Sequence, residues 1–147
     1  MLRGNSPARI DEKGRLKIPT AFRNYIEQQY GRELFITSTS GQFVRIYPLP
    51  VWLEIEQKVA SAASMHPTVQ RFQNWVNFYG AVGSLDAQGR VVIQPLLRKS
   101  AEVTGNVAVL GKLRFLDVWN QERFLSKLEA EPLTDEDQRV LSSVLQI

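Results

Sequence analysis

Near the amino end, the segment Ile10-Asp11-Glu12-Lys13-Gly14-Arg15-Leu16-Lys17-Ile18 recurs 75 positions later as Leu85-Asp86-Ala87-Gln88-Gly89-Arg90-Val91-Val92-Ile93, keeping Asp, Gly, Arg and Ile in place. An internal repeat restricts the architecture more than composition does, because each copy must form the same supersecondary unit. Arg23 and Arg98 stay in register. Downstream, each copy continues with a helical segment, a short apolar run (Leu34 to Thr37; Val107 to Leu110) and an aromatic-tipped strand. The strands are Phe43-Val44-Arg45-Ile46-Tyr47 and Phe115-Leu116-Asp117-Val118-Trp119, followed by helices bearing Trp52 and Phe124 at equal offset. The repeat therefore predicts a duplicated β-β-α-β-β-α unit. A unit of about 45 residues buries too little apolar surface to fold alone, so the copies are expected to share one core as an intrachain pseudo-dimer. Their Asp-x-x-Gly-Arg turns should then be related by an approximate two-fold.

Periodicity and punctuation place the individual elements. Pro19 opens a helix whose apolar residues Phe22, Tyr25, Ile26 and Tyr30 share a face, and Gly31 suits its C-terminal cap. Ser38-Thr39-Ser40-Gly41 is turn chemistry between two β-rich runs, so residues 34–47 read as a hairpin. Pro48 and Pro50 stop the second strand and start a helix with Trp52, Ile55 and Val59. Residues 67–79 set Val69, Phe72, Val76 and Tyr79 on one face of a helix that Gly80 ends; it joins the copies, and its Trp75 and Phe78 are expected to be buried. After residue 120 a helix with Phe124, Leu125 and Leu128 precedes Pro132, and Thr134 can cap a last helix carrying Val140, Leu141, Val144 and Leu145.

Composition removes most catalytic chemistries. With no cysteine, disulfides, Cys-ligated zinc, iron–sulfur clusters and thiol nucleophiles are excluded, which suits a reducing compartment. The single histidine, His66, sits between Met65 and Pro67 at an expected helix-to-helix connection and reads as a helix cap or an exposed residue; no histidine-rich metal site can be built from it. Neither a G-x-x-x-x-G-K-[ST] loop nor a G-x-G-x-x-G fingerprint occurs. No cofactor and no metal are expected, and an enzyme is disfavoured, although carboxylates alone can do acid/base work. Asp11 and Asp86 are poor candidates for it, since each forms a turn and has an arginine within four residues that would hold it ionised. Apolar runs such as Val107 to Leu110 fall far short of the roughly 18 residues that span a bilayer. The start, Met1 to Pro7, has no apolar stretch of the signal-peptide kind, so a soluble, unexported protein is expected.

The net charge of +3 is unevenly spread: residues 1–76 carry ten Lys/Arg against six Asp/Glu, and residues 77–147 eight against nine. The first 23 residues alone hold Arg3, Arg9, Lys13, Arg15, Lys17 and Arg23 against Asp11 and Glu12. Glu129, Glu131, Asp135, Glu136 and Asp137 make the C-terminal stretch acidic, as a solvated helix end or a partner surface. Between strand residues Ala8 to Ile10 and Arg15 to Ile18, Asp11 to Gly14 suits a tight loop. Asp11 can accept from backbone N–H groups just downstream, and Gly14 supplies positive φ. Leu16 and Ile18 then alternate with Arg15 and Lys17, turning one strand face inward and a cationic one outward. With Lys13 at the loop tip, this is a short cationic ribbon of a size that a DNA major groove admits. The same pattern equally describes an exposed strand whose charges guard its edge and bind nothing. The second copy keeps Arg90 but has Ala87, Gln88 and Val92 for Glu12, Lys13 and Lys17, so the first loop is the stronger candidate grip on phosphate. An Asp–Arg pair across each turn can also be a fold-stabilising motif.

Met1-Leu2-Arg3-Gly4, Asp11 to Pro19, Tyr47-Pro48-Leu49-Pro50 followed by Trp52, and Leu85 to Arg90 together resemble the bacterial MraZ family over nearly the whole chain, in order and spacing. The resemblance implies a mainly β, α+β fold, a duplicated double-split (swapped-hairpin) barrel like those of AbrB and the MazE antitoxins. Residues 1–79 would form the first AbrB-like repeat with a linker helix (core about 5–52), and 80–147 the second with the C-terminal helices (core about 81–124). It also implies a cytoplasmic, nucleoid-associated, sequence-specific DNA-binding transcriptional regulator. Such a protein would repress its own division and cell-wall gene cluster as a ring-shaped homo-oligomer on repeated boxes of promoter double-stranded DNA, with no membrane partner. The family's two Asp-x-x-x-Arg motifs fall on Asp11 with Arg15 and on Asp86 with Arg90; Gln94 stands where the first copy has Pro19, and Asp117 where Glu is expected. On this reading Arg15 and Lys13 read base edges, Arg3, Arg9, Lys17 and Arg23 mostly neutralise phosphate, and Arg90 serves the second copy. Asp11, Gly14, Asp86 and Gly89 build the turns. The alternative is a protein-interaction scaffold without direct DNA readout, presenting Trp75 and Phe78 or the acidic C-terminal stretch.

Overall fold

A computed structural model describes residues 1–62 and 66–147. The expected connection through Met65 lies outside the described residues. Among those described, the first copy forms β1 (Leu2–Ile10), β2 (Arg15–Lys17), α1 (Thr20–Tyr30), β3 (Glu33–Thr37), β4 (Val44–Pro48), α2 (Leu49–Ser61) and α3 (Pro67–Phe78). The second forms β5 (Ala81–Ser84), β6 (Arg90–Val92), α4 (Pro95–Ala101), β7 (Gly105–Leu113), β8 (Leu116–Asn120), α5 (Gln121–Ala130) and α6 (Asp135–Leu145). The β-β-α-β-β-α order is present twice. Caps follow the punctuation: Gly31 ends α1 at φ 92°, the His66 ring nitrogen accepts from the Thr68 N–H at the start of α3, and Thr134 and Asp137 form a capping box on α6. Among the described residues no helix is long and apolar enough to cross a membrane.

All strand pairs are antiparallel within one sheet, in the order β5-β3-β4-β8-β7-β1-β2-β6, whose end strands approach each other in a nearly closed barrel. The halves interleave. β1 runs beside β7 from Leu2↔Leu113 to Ile10↔Gly105, and its counterpart β5 runs beside β3 from Glu33↔Ser84 to Ile36↔Ala81. β1 is longer than the Ala8 to Ile10 read from the sequence, because β7 supplies hydrogen-bond partners back to Leu2. The barrel interior mixes both copies: Leu2, Ile10, Leu16, Ile26, Leu34 and Ile46 pack with Val91, Ile93, Leu97, Val109, Leu116 and Val118 in one buried cluster. A second cluster, with Phe35 stacked on Trp52 at 4.4 Å and Val76 beneath, seats α2 and α3.

An approximate two-fold relates the copies and passes between strands that pair with their own counterparts. β2 meets β6 at Leu16↔Val91, and β4 meets β8 at Arg45↔Asp117; each pair consists of equivalent repeat positions. Leu16 and Val91 are both buried. Arg45 donates from Nε to Asp117 Oδ1 at 2.8 Å and from Nη2 to Oδ2 at 3.2 Å, with side-chain exposures of 22% and 5%. Its guanidinium lies 4.3 Å from the Phe115 ring centroid and 5.3 Å from that of Phe43, again an equivalent pair. Burial opposes the charge on Arg45, but the Asp117 carboxylate outweighs it and raises the guanidinium pKa. Asp117, the departure noted in the second copy, is thus the partner that the axis requires.

The copies differ at their margins. Trp75 and Phe78, expected to be buried, are 44% and 64% exposed. They fall one position before Val76 and Tyr79, on the outer flank of α3, and only the Val76 side faces the barrel. The turn between β7 and β8 places Leu113 at φ 71°, where its counterpart Gly41 in the first copy has φ 73°. Left-handed backbone opposes a leucine by roughly 1–2 kcal/mol.

Truncating one member of the axial ion pair leaves the other buried and unpaired, so Arg45→Ala should destabilise the protein by about 3 kcal/mol or more in urea unfolding. Because Phe43 and Phe115 are equivalent, the exchanged variant Arg45→Asp with Asp117→Arg should recover most of that loss. An additive loss in the exchanged variant would contradict the two-fold account.

Candidate nucleic-acid interface

Both Asp-x-x-Gly-Arg loops are built by the same bonds. Asp11 Oδ1 accepts from the backbone N–H of Lys13 at 3.0 Å and of Arg15 at 2.9 Å, while Oδ2 accepts from Arg15 Nε at 2.7 Å. In the second copy Asp86 Oδ1 accepts from Gln88 N–H at 2.8 Å and Arg90 N–H at 2.9 Å, and Oδ2 from Arg90 Nε at 3.0 Å. Backbone bonds from Asp11 N–H to the Arg15 carbonyl, and from Gly14 N–H to the Asp11 carbonyl, close the first ring, and Asp86, Arg90 and Gly89 repeat them. In each loop the arginine backbone N–H is the main cause that lowers the aspartate pKa below 3.8, with the guanidinium adding to it against partial burial.

Each loop is also clamped by the opposite copy. Ile18 N–H donates to the Gly89 carbonyl and Ile93 N–H to the Gly14 carbonyl. Gly14, at φ 80°, lies under Arg98, so an added Cβ would stand 2.6 Å from its Cζ; Gly89, at φ 76°, lies likewise under Arg23. Arg23 itself donates from Nε to Glu27 at 3.0 Å and from Nη2 to the Ala87 carbonyl at 3.2 Å. Arg98 donates from Nε to the Ile93 carbonyl at 2.8 Å, and Arg32 from Nη2 to the Asp86 carbonyl at 2.6 Å. The chain thus holds two rigid loops on either side of its axis by arginines that the motif does not contain. Arg98 was visible through its register with Arg23; Arg32 carries no comparable signal.

Between the loops, Leu16 and Val91 point inward, so their neighbours point outward. Lys17 stands opposite Arg90, and Arg15 opposite Val92. By the antiparallel register at Ile10↔Leu16, Arg9 lies level with Lys17. Arg9, Lys17 and Arg90 therefore form a row across β1, β2 and β6, at about 4.8 Å per strand. Arg9, Lys13 and Lys17 are exposed; Arg15 and Arg90, at 32% and 28% side-chain exposure, bind their aspartates through Nε alone. Arg3 is not part of this group: it lies six residues up β1 from Arg9, roughly 20 Å away by strand rise, opposite Lys112. Among the described residues no group of three or more His, Asp or Glu could hold a metal ion.

A strand-swapped barrel made from a tandem repeat, with an Asp-x-x-Gly-Arg loop on each side of its axis, defines the class of duplicated AbrB-like barrels. Within that class the chain belongs to the MraZ family, whose model matches residues 1–75 and 80–144 under the description MraZ protein. Among similar curated proteins, one from Acidobacterium capsulatum named Transcriptional regulator MraZ is 47% identical over 142 residues, covering 97% of each chain. One of the same name from Koribacter versatilis is 45% identical, covering 98% of this chain and 99% of its own. Another, from Citrobacter koseri, is 30% identical, covering 89% and 87%.

Gly14→Ala or Gly89→Ala meets both an unfavourable φ and a packed arginine, and should lower stability by more than about 1 kcal/mol in chemical denaturation. Because the native pKa values of Asp11 and Asp86 are lowered, the loops' contribution is complete above the ordinary aspartate value of 3.8 and is lost as the pH falls from there through the native values. In an NMR titration both carboxyls should titrate below that value, with the Arg15 and Arg90 amide signals moving in step. Carboxyls titrating at or above it would refute the bonding described.

Proposed function

We propose that this protein is a sequence-specific DNA-binding transcriptional regulator, and the observation that carries the reading is the row of Arg9, Lys17 and Arg90 with Lys13 and Arg15 beside it. Like charges on neighbouring strands oppose sheet formation. A polyanion laid along the row removes that repulsion, and the stiff loops restrict how it is met. The regulator names of the relatives support the same reading.

In this reading Lys13 and Arg15 enter the major groove. Arg15 has its Nη groups available to a guanine edge while Asp11 fixes its Nε. Arg9, Lys17 and Arg90 lie along phosphates, Arg3 reaches a more distant one, and Arg23 contributes by holding the second loop as well as by its charge. Residues 1–79 and 80–147 act as the two AbrB-like repeats, the first dominating affinity because Gln88 and Val92 replace Lys13 and Lys17. One chain binds weakly; a ring-shaped homo-oligomer engages repeated promoter boxes together, so affinity depends on box spacing. The targets are its own division and cell-wall genes, which it represses as a cytoplasmic, nucleoid-associated protein. A protein-interaction scaffold is the second reading, favoured by the exposure of Trp75 and Phe78.

In anisotropy titrations on DNA from upstream of its own gene, Arg15→Ala should weaken binding by about 1–3 kcal/mol and relax sequence preference. Lys17→Ala should weaken binding to all sequences alike and reduce the salt slope by about 1. Unchanged affinity in both variants, or binding insensitive to salt, would reject DNA recognition by this face and favour the scaffold.

A further inference from the structure

The two-fold makes each outward residue of one copy a control for its equivalent in the other. Between β2 and β6, Ile18 N–H donates to the Gly89 carbonyl and Ile93 N–H to that of Gly14, so Arg15↔Val92 and Lys17↔Arg90 are the non-hydrogen-bonded pairs of the ladder. Such pairs bring their Cα atoms to about 4.5 Å and their side chains closest together. The axis exchanges the two pairs, yet their chemistry differs. Lys17 sets an ammonium beside the Arg90 guanidinium, whereas Val92 sets an isopropyl group beside that of Arg15.

Val92 is 58% exposed, and Val82 on β5, which stands where the first copy has Pro7, is 69% exposed. Ser84 likewise replaces Arg9. Between these end strands lies a recess of about 290 Å3 lined by Val82, Val92, Ile36, Ser84 and Gln94. The barrel core is filled from the adjacent positions Val91 and Ile93, so burial does not account for the two outward valines. Arg15 lies across the ladder from Val92, and Arg90 two residues before it on the same face. Apolar surface framed by cations in this way fits a polyanion that itself carries small apolar groups. Of the DNA bases, thymine alone projects a methyl group into the major groove.

We propose that Val92, with the recess beside it, receives the C5-methyl of a thymine whose base pair neighbours the guanine met by Arg15. The proposal rests on the DNA reading above and deepens it. Affinity comes mainly from the cations of the first copy, while the second copy, where Val92 replaces Lys17, adds sequence discrimination. Lys17, at the equivalent place, presents a charge suited to phosphate.

The test titrates the full chain, by anisotropy at one moderate salt concentration, against a fragment carrying one binding site from upstream of its own gene. Each thymine in turn is replaced by deoxyuridine, which removes the methyl and keeps every hydrogen-bonding group. At one position wild-type affinity should fall roughly fourfold, the worth of one buried methyl group. Val92→Ala should bind thymine and deoxyuridine alike at that position, with unchanged circular dichroism because the residue is exposed. Val92→Lys, which installs the first copy's residue, should also lose the distinction while its salt slope steepens by about 1. At the neighbouring pair, 7-deazaguanine should weaken wild-type binding but not that of Arg15→Ala. Absence of any deoxyuridine penalty, a penalty that persists in Val92→Ala, or one distant from the Arg15-dependent guanine would each overturn the contact and leave the DNA reading standing. Wild-type protein that fails to bind the unmodified fragment would overturn both.

Discussion

The pairing of β1 with β7, and of β5 with β3, commits each copy's first strand to the other copy's sheet, and the remaining architecture follows from that exchange. Once the outer strands are exchanged, β2 must meet β6 and β4 must meet β8, so a two-fold axis runs between strands that face their own equivalents. Equivalent apolar residues can occupy such a position without conflict, as Leu16 and Val91 do. Equivalent charges cannot, because two identical ions would be held together with little water to screen them. Divergence of the copies resolves this at Arg45 and Asp117.

The same exchange accounts for the stiffness of the candidate site. A loop of four residues at the end of a three-residue strand has little support of its own. Here Asp11 and Asp86 each satisfy backbone N–H groups from inside the loop, while Arg98 and Arg23 press on Gly14 and Gly89 from the other copy. The loops are thus fixed relative to each other as well as internally. That geometry presents Arg9, Lys17 and Arg90 as a row instead of as separate solvated charges, and it distinguishes the candidate interface from an ordinary charged edge.

Much of this was legible in the sequence because it depends on local chemistry. Pro19, Gly31, Pro48 and Thr134 mark helix ends by what their backbones can and cannot do, and the Asp-x-x-Gly-Arg loops follow from the acceptor on Asp11 and the freedom of Gly14. What local chemistry leaves open is partnership. Arg3 to Pro7 has no strand-like alternation and becomes strand only because β7 lies beside it. The outward turn of Trp75 and Phe78 follows from their offset by one position from Val76 and Tyr79, a spacing signal that their aromatic character masks. Arg45 and Asp117 align in the repeat, yet their contact becomes visible only once the axis is known. Arg23 and Arg98 look like surface cations until the opposite glycine is placed beneath each.

The axial ion pair also bears on which halves can pair. A symmetric assembly of two identical short chains would bring arginine against arginine, or aspartate against aspartate, at this position. With one of each on a single polypeptide, either half paired with its like would confront a repulsive centre where the two unlike halves have an attraction. The contact is in this sense a matching code: it favours the union of unlike halves, joined or separate, over the pairing of either with its own copy.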